Sequence, residues 1–258
     1  MEDWRYQELY ELEERHWWFR SRRRFVWALM HRAGISSPAR VLDAGCGTGR
    51  NLLEFGKLAP EAEGVDFSEE AVAFCRRRGL DGVRQARLEE LPFPDDRFDL
   101  LIATDVIEHL EDDRRALVEL RRVAAPGAQL VITVPAYRWL WSQHDESHHH
   151  RRRYTMRRLR EAVGDAGWTP TVSSYYYTTM LPAVAAVRAA GKLRPATTNG
   201  RSDLALTPAA LNRVLELPVR AESALVERGM RLPFGVSLGM VCSARDSQEA
   251  GIYARARR

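Results

Sequence analysis

Apolar positions recur at roughly helical spacing through the first 33 residues, at Trp4, Leu9, Leu12, Trp17, Trp18, Phe25 and Leu29, and predict an aromatic-rich helical cap over residues 1–35. After Ser36, Ser37 and Pro38 the short apolar run ARVLDAG meets a glycine cluster and then GRNLLEFGKLA, which reads as strand, tight loop and helix. The cycle repeats with EAEGVDF and SEEAVAFCRRRG, where Ser68 is the expected N-cap and Glu69 and Glu70 suit the positive end of a helix. A short GVRQA follows, then FDLLIAT, a helix from Arg114 to Val123, a turn at Pro126 and Gly127, and QLVITVP. Strands alternating with helices at this spacing predict an α/β fold, a parallel sheet with helices on both faces.

The segment Tyr137 to Tyr154 has no period, is loaded with Trp, His and Arg, and is expected to be a long loop at the carboxyl edge of the sheet, a length uncommon unless functional. Thr155 should cap a helix through Ala166 that Gly167 ends. TPTVSSYYY and GVSLGMVCSA read as strands. Between them, a helical insertion at about 178–232 is expected inside a main domain of residues 36–245, followed by a flexible tail over 246–258.

With 258 residues, 45% of them hydrophobic and 29% charged, the chain can bury a large core, which excludes disorder as its main state. Cys46, Cys75 and Cys242 are too scattered for a disulfide framework or a CxxC zinc site and suit a reducing compartment. The opening MEDWRYQELYELEE is acidic where a secretory signal is basic and then apolar, so a cytoplasmic location is expected. No apolar window reaches the roughly 18 residues of a membrane span. The nearest, Met180 to Ala190, is interrupted by Pro182 and Arg188. The net charge of +4 comes almost entirely from Arg; basic runs sit beside equally dense acidic ones, so arginine-rich coding accounts for it better than an anionic partner does.

The strongest chemical signal is Val41-Leu42-Asp43-Ala44-Gly45-Cys46-Gly47-Thr48-Gly49, a strand running into glycines at alternate positions. Glycines let the backbone approach a ligand closely. The spacing is GxGxG, with an acid two residues before the first glycine, where the dinucleotide fingerprint is GxGxxG around a pyrophosphate. An acid there repels phosphate and suits a ligand carrying an ammonium or sulfonium charge.

These residues resemble the class I S-adenosylmethionine-dependent methyltransferases, in particular the small-molecule methyltransferase domain. VLDAGCGTG, EGVDFS, LEELPFPDDRFDLLIATDVIEHL and PGAQLVITVP carry the resemblance across about residues 39–135. The remainder resembles a bacterial subgroup with an HWWF segment (His16 to Phe19), an HDxxxxHxRRY-type loop (His144 to Tyr154) and a closing PFGxSL strand (Pro233 to Leu238). The resemblance implies a Rossmann-like seven-stranded sheet, mostly parallel with an antiparallel last strand, and S-adenosyl-L-methionine as cofactor. It implies that Asp43 faces the methionine ammonium, that Gly45, Gly47 and Gly49 let the backbone pass the methionyl and ribose parts, and that Asp66 takes the ribose hydroxyls. Phe67 would pack on the adenine, and Leu88 and Thr104 would complete the cofactor site; Arg87 stands where the family often has an acid for the adenine amine. Taken alone, Asp66 also reads as a helix-preceding acid and Thr104 as a strand end.

Methyl transfer from a sulfonium needs alignment and exclusion of water, and a base only where the acceptor must lose a proton. His109 is the first candidate base, with packing beside the cofactor as the competing reading, and Glu108 is read as a helix-start residue. His144, His150 and Tyr154 are further catalytic candidates, and His16, Trp17, Trp18, Asp145, Arg152 and Arg153 are candidates for acceptor binding, the two arginines favouring a carboxylate or phosphate. Histidine triplets suit zinc or iron. Consecutive residues cannot all converge on one ion without strain, so a substrate-facing lid is preferred, no metal is assigned, and a solvated loop is the remaining alternative. Residues 175–190 are taken as core by default, with an acceptor wall, a dimer surface or a shallow membrane contact as alternatives. The expected function is methyl transfer to an O, N or C nucleophile of a small molecule. Its rivals are a nucleic-acid methyltransferase, disfavoured for want of an NPPY-like motif or an RNA-binding domain, and a cofactor-binding protein with other chemistry such as cyclisation. The oligomeric state is not legible.

Overall fold

The computed structural model describes residues 3–192 and 208–245, so the expected tail over 246–258 and part of the expected insertion lie outside the described residues. In chain order the elements are α1 (Asp3–Arg15), α2 (Trp17–Arg32), β1 (Arg40–Ala44), α3 (Arg50–Phe55), β2 (Glu61–Asp66), α4 (Glu69–Arg77), β3 (Val83–Gln85) and β4 (Phe98–Thr104). They continue with α5 (Asp113–Val123), β5 (Ala124–Pro135), α6 (Gln143–Ser147), α7 (Met156–Asp165), β6 (Trp168–Tyr176), α8 (Leu181–Lys192), α9 (Ala209–Glu227) and β7 (Ser237–Ala244).

The strands form one seven-stranded sheet in the order β3-β2-β1-β4-β5-β7-β6. All neighbours are parallel as far as β5, and β7 runs antiparallel between β5 and β6. This is the Rossmann-like α/β arrangement expected. Because β1 pairs with β2 on one side and β4 on the other, the order in which strands are added to the sheet reverses between β1 and β4, and a crevice opens beyond their carboxyl ends.

Continuous apolar strands are what a sheet covered on both faces requires. Along β4, Leu100 and Ile102 join Val41, Val131 and Val241 beneath Phe25, Leu29 and Met30 of α2. Leu101 and Ala103 face the opposite layer with Leu117 and Leu120 of α5 and Leu159 of α7. The approach of α2 depends on Gly239 in β7: a Cβ there would lie 2.7 Å from Phe25 Cε1 and 2.8 Å from Leu29 Cδ1. Residues of the cap are therefore part of the sheet's own covering layer.

Three expectations change in detail. The N-terminal helical pattern breaks at His16, whose backbone is extended and whose Nδ1 accepts from Trp18 N at 3.3 Å, while Asn212 Oδ1 accepts from Trp17 N at 3.0 Å. Two N–H groups at the start of α2 are thereby satisfied, and a new helix starts. Pro126 and Gly127 do not separate two elements: β5 runs through them, with its register against β4 shifting between Phe98 and Leu100. The segment Tyr137 to Tyr154 contains a short 3-10 turn at Arg138–Leu140 and α6, whose start is a capping box between Ser142 and Asp145.

Candidate functional site

The glycine loop leaves β1 at the crevice. Gly45 has φ +78, and a Cβ there would meet Val106 Cγ2 at 2.3 Å, so only glycine lets the loop pass this close to the end of β4. Gly47 donates its N–H to Asp66 Oδ2 at 2.9 Å, and Ser68 N donates to Asp66 Oδ1 at 3.0 Å. Each oxygen of Asp66 keeps a further lone pair for a ligand hydroxyl. Asp43 is buried behind the loop, and neither carboxylate oxygen has a hydrogen-bond partner. Burial pushes its pKa up to about 7, against the pull of the Arg22 guanidinium.

The N-terminal helix is tied over this loop. Arg78 donates to Thr48 O at 2.7 Å, to Glu13 at 2.6 Å, to Glu14 at 2.7 Å and to Tyr10 O at 3.2 Å, and the Thr48 hydroxyl donates to Glu13. From α2, Arg22 donates to Asp105 Oδ2 at 2.7 Å. Trp18 stacks on Tyr177 with ring centroids 4.1 Å apart, and the Tyr177 hydroxyl donates to Trp18 O at 2.5 Å. Asn51 Nδ2 donates to Thr104 Oγ1 at 2.8 Å, fixing the end of β4.

These elements enclose a cavity of about 1240 Å³. Gly45, Gly47, Asp66, Phe67, Leu88 and Thr104 all line it. His16, Trp17 and Trp18 also reach it, as do His144, His150 and Arg153. Met180, Ala183, Val184 and Val187 make an apolar stretch of wall, so α8 is core on one face only: Leu181, Val184 and Ala185 pack against the buried cluster beneath α2, while Ala183 and Val187 are exposed to the space it borders. Asp43 and Gly49 do not reach the wall; Gly49 instead starts α3, with φ +86.

Six of the seven histidines line this one cavity. The His109 and His150 rings lie 4.7 Å apart between centroids, those of His144 and His148 4.1 Å apart. Burial, then the neighbouring His150 and His148, bring the His109 pKa down to about 3. Burial likewise pulls His144 well below the usual imidazole range and lowers His16. A histidine this depressed is neutral and a weak base, which counts against His109 as the proton acceptor. Glu108 does lie in the first turn of a short 3-10 helix, Ile107–His109, but it is fully buried there and neither carboxylate oxygen has a hydrogen-bond partner.

Four expected site residues are engaged elsewhere. Tyr154 is buried in the core, not on the cavity wall, and its hydroxyl donates to Asp113 Oδ2 at 2.5 Å. Arg152 pairs with Asp113 Oδ1 at 2.6 Å and donates to the carbonyls of Leu110 and Glu111 at 2.7 Å, so its guanidinium ties the loop to the start of α5. Asp145 is fully buried and off the wall; it accepts from Arg153 Nε at 2.7 Å and from Ser142 N at 2.9 Å and pairs with His150 Nδ1 at 2.8 Å. Burial works to raise its pKa, but the hydrogen bonds from His150 and Arg153 outweigh that and hold it well below the usual carboxylate range. Arg153 reaches the cavity, but its fork is filled by Asp145 and by Ala136 O at 2.9 Å. The acceptor-binding roles expected of Asp145 and Arg152 are thus replaced by loop-bracing ones.

Sequence reasoning missed Tyr6, Glu13, Arg22, Asn51 and Glu89, all on the wall. Tyr6 belongs to an amphipathic helix whose partner is not visible in the chain order. Glu89 was legible in principle as the acid nearest the Arg87 position, and it pairs loosely with Arg87 at 3.7 Å.

Residues 42–132 match the family described as methyltransferase domain. A curated relative from Mycolicibacterium smegmatis, named "Probable S-adenosylmethionine-dependent methyltransferase", is 35% identical over 126 residues, 48% of this chain and 48% of the relative. The chain thus spans about half the length of that relative. Among solved structures, geranyl diphosphate C-methyltransferase from Streptomyces coelicolor, in complex with Mg2+, geranyl-S-thiolodiphosphate and S-adenosyl-L-homocysteine, superposes with a TM-score of 0.57 at 17% identity, over 85% of this chain and 74% of that one. The cyclase SpnF superposes with a TM-score of 0.56 at 21% identity, over 86% of this chain and 81% of that one. The likeness to both structures is one of fold. Residues 42–132 of this chain are thus similar to the methyltransferase-domain family and to S-adenosylmethionine-dependent methyltransferases, and they lie in the seven-stranded Rossmann-like fold of such enzymes.

Proposed function

We propose that the chain transfers a methyl group from S-adenosylmethionine to a small-molecule acceptor, as a member of the HWWF subgroup. One observation carries the reading: the glycine loop and Asp66 open onto a cavity of about 1240 Å³, beyond the roughly 300–1,000 Å³ that one ligand usually occupies. It leaves room for a cofactor and an acceptor side by side. The residues at the β1 and β2 ends fit this cofactor. Asp66 has lone pairs to spare for two ribose hydroxyls, and Asp43, behind the loop and off the wall, is an orphaned carboxylate whose charge would act on an ammonium through the loop rather than by contact. Phe67, 60% exposed, offers a ring face to the cavity, which Leu88 also lines.

When bound, S-adenosylmethionine supplies a methyl group on a sulfonium centre. The chain's own contribution is alignment and exclusion of water. Trp17 and Trp18 from α2 and the apolar wall of α8 cover the cavity, and His109, His144 and His150 face the acceptor across it. Since Arg152 and Arg153 are spent inside the protein, the reading favours an acceptor held by apolar contact over one held by a carboxylate or phosphate. The same pairing weakens the case for nucleic acid, which needs free cationic side chains for phosphate. The three cysteines are free thiols, in keeping with a cytoplasmic setting, and among the described residues no helix is long and apolar enough to cross a membrane.

Calorimetric titration with S-adenosylhomocysteine should show one site per chain, and mass spectrometry of reactions with candidate acceptors should show the addition of one methyl group. A folded protein that binds neither S-adenosylhomocysteine nor S-adenosylmethionine would overturn the reading.

A further inference from the structure

We infer that Glu108, His109 and His150 form a binding site for one divalent first-row transition-metal ion on the wall of the cavity. One ligand atom from each side chain lies within 4.8 Å of the other two. A zinc-class ion bonds such atoms at ~2.0–2.2 Å, so shifts on the order of half an ångström bring all three onto it. Two imidazoles and a carboxylate suit zinc, iron(II), cobalt(II) or nickel(II), and the set offers only one carboxylate where calcium and magnesium prefer a shell made of oxygen ligands.

Glu108 is the independent pointer to a cation. It is fully buried, lines the cavity, and finds no hydrogen-bond partner for either oxygen. The groups that act on it across the packing are Asp105, Arg22 and Arg153. Asp105 has the same sign, while Arg22 is paired with Asp105 at 2.7 Å and Arg153 with Asp145 at 2.7 Å. A buried carboxylate in this state is costly, and a metal ion supplies the missing charge.

The histidines are braced as metal ligands usually are. His150 Nδ1 is held by Asp145 Oδ1 at 2.8 Å, which fixes the ring and leaves Nε2 as the coordinating atom. Asp145 is itself locked by Arg153 and the Ser142 N–H. The His109 ring lies edge to face with that of His150, with centroids 4.7 Å apart, so the two imidazoles stand side by side. The difficulty of bringing consecutive histidines onto one ion does not arise, because only His150 of the triplet is used; His149 is exposed, with φ +56. The ion's remaining positions would face the cavity. The inference rests on these side chains and not on which reaction the cavity hosts, so its failure would leave the methyl-transfer reading intact.

The test uses full-length, tag-free protein stripped with a chelator and titrated with Co2+, followed by its visible absorption, and with Zn2+ by calorimetry. One ion per chain is expected. Glu108→Gln and His150→Ala should each weaken binding about tenfold or more, and His149→Ala should leave it unchanged. Circular dichroism checks the fold of each variant, and His109→Ala replaces His150→Ala if the latter does not fold. The inference is overturned if folded, stripped wild-type protein takes up no stoichiometric Co2+ or Zn2+, or if Glu108→Gln and His109→Ala bind as the wild type does.

Discussion

Arg22 on α2 and Asp105 just beyond β4 meet at 2.7 Å, joining the cap to the point where the central strand enters the cavity. Asp105 adopts φ 51, and its second oxygen accepts from Thr133 Oγ1 at 2.9 Å, so the pair and the hydroxyl together hold an unfavourable backbone conformation. Arg22→Ala is expected to lower stability by about 1.5–3 kcal/mol, the range for hydrogen bonds to charged groups. It should also weaken cofactor binding, because the cap loses its tie. Urea denaturation alongside calorimetry reads both, and an unchanged midpoint would show that the pair contributes nothing.

Asp66→Ala removes the carboxylate that receives Gly47 N and Ser68 N and that is read as the ribose acceptor. Affinity for S-adenosylhomocysteine should fall by about 1–3 kcal/mol. Calorimetry on the folded variant decides; an unaltered constant takes Asp66 out of the site.

Burial raises the Asp43 pKa from 3.8 to about 7, so the folded chain holds a proton there that the unfolded chain gives up earlier. The associated stability is complete below the unfolded value near 4 and is lost as pH rises through about 7. Asp43→Asn should remove that slope from the denaturation profile of the unliganded protein. An ammonium nearby favours the ionised form, so affinity for S-adenosylhomocysteine should climb as pH approaches about 7 and then level off. A variant with the same pH profile as the wild type would contradict both expectations.

Tyr154→Phe deletes a buried hydroxyl whose partner, Asp113, also receives Arg152 at 2.6 Å. A loss of about 2 kcal/mol in stability is expected, with turnover little changed because the ring lies off the cavity wall. A large fall in turnover at full stability would return Tyr154 to the chemistry.

The sheet and the glycine loop were legible because they depend on local patterns: a strand period, alternate glycines, an acid closing the next strand. The aromatic segment His16 to Phe19 and the histidine loop were legible as a site, and the structure brings both to one cavity. What could not be read was the direction of each side chain. Arg152, Arg153 and Tyr154 are polar residues in a loop, and nothing in their order says that Asp113 and Asp145, 39 and 8 positions away at the closest, will consume them. Glu108 looked like an ordinary helix-start acid because its burial depends on the distant segment around His150, whose neighbour Arg151 donates its N–H to Glu108 O at 2.8 Å. The break at His16 was hidden because both helices keep the same apolar spacing.

Arg78 draws α1 onto the glycine loop, and this ties the order of the helix to the state of the site. A helix of 13 residues is marginal alone in water, so its order depends on Arg78 and on the few apolar contacts of Tyr6, Leu9 and Leu12. Those same three side chains line the cavity. Any occupant that touches them raises the free energy of detaching α1, and amide hydrogens along this helix exchange more slowly as the cavity fills. The N-terminal helix is therefore a built-in gauge of occupancy, readable by isotope exchange before the acceptor has been identified.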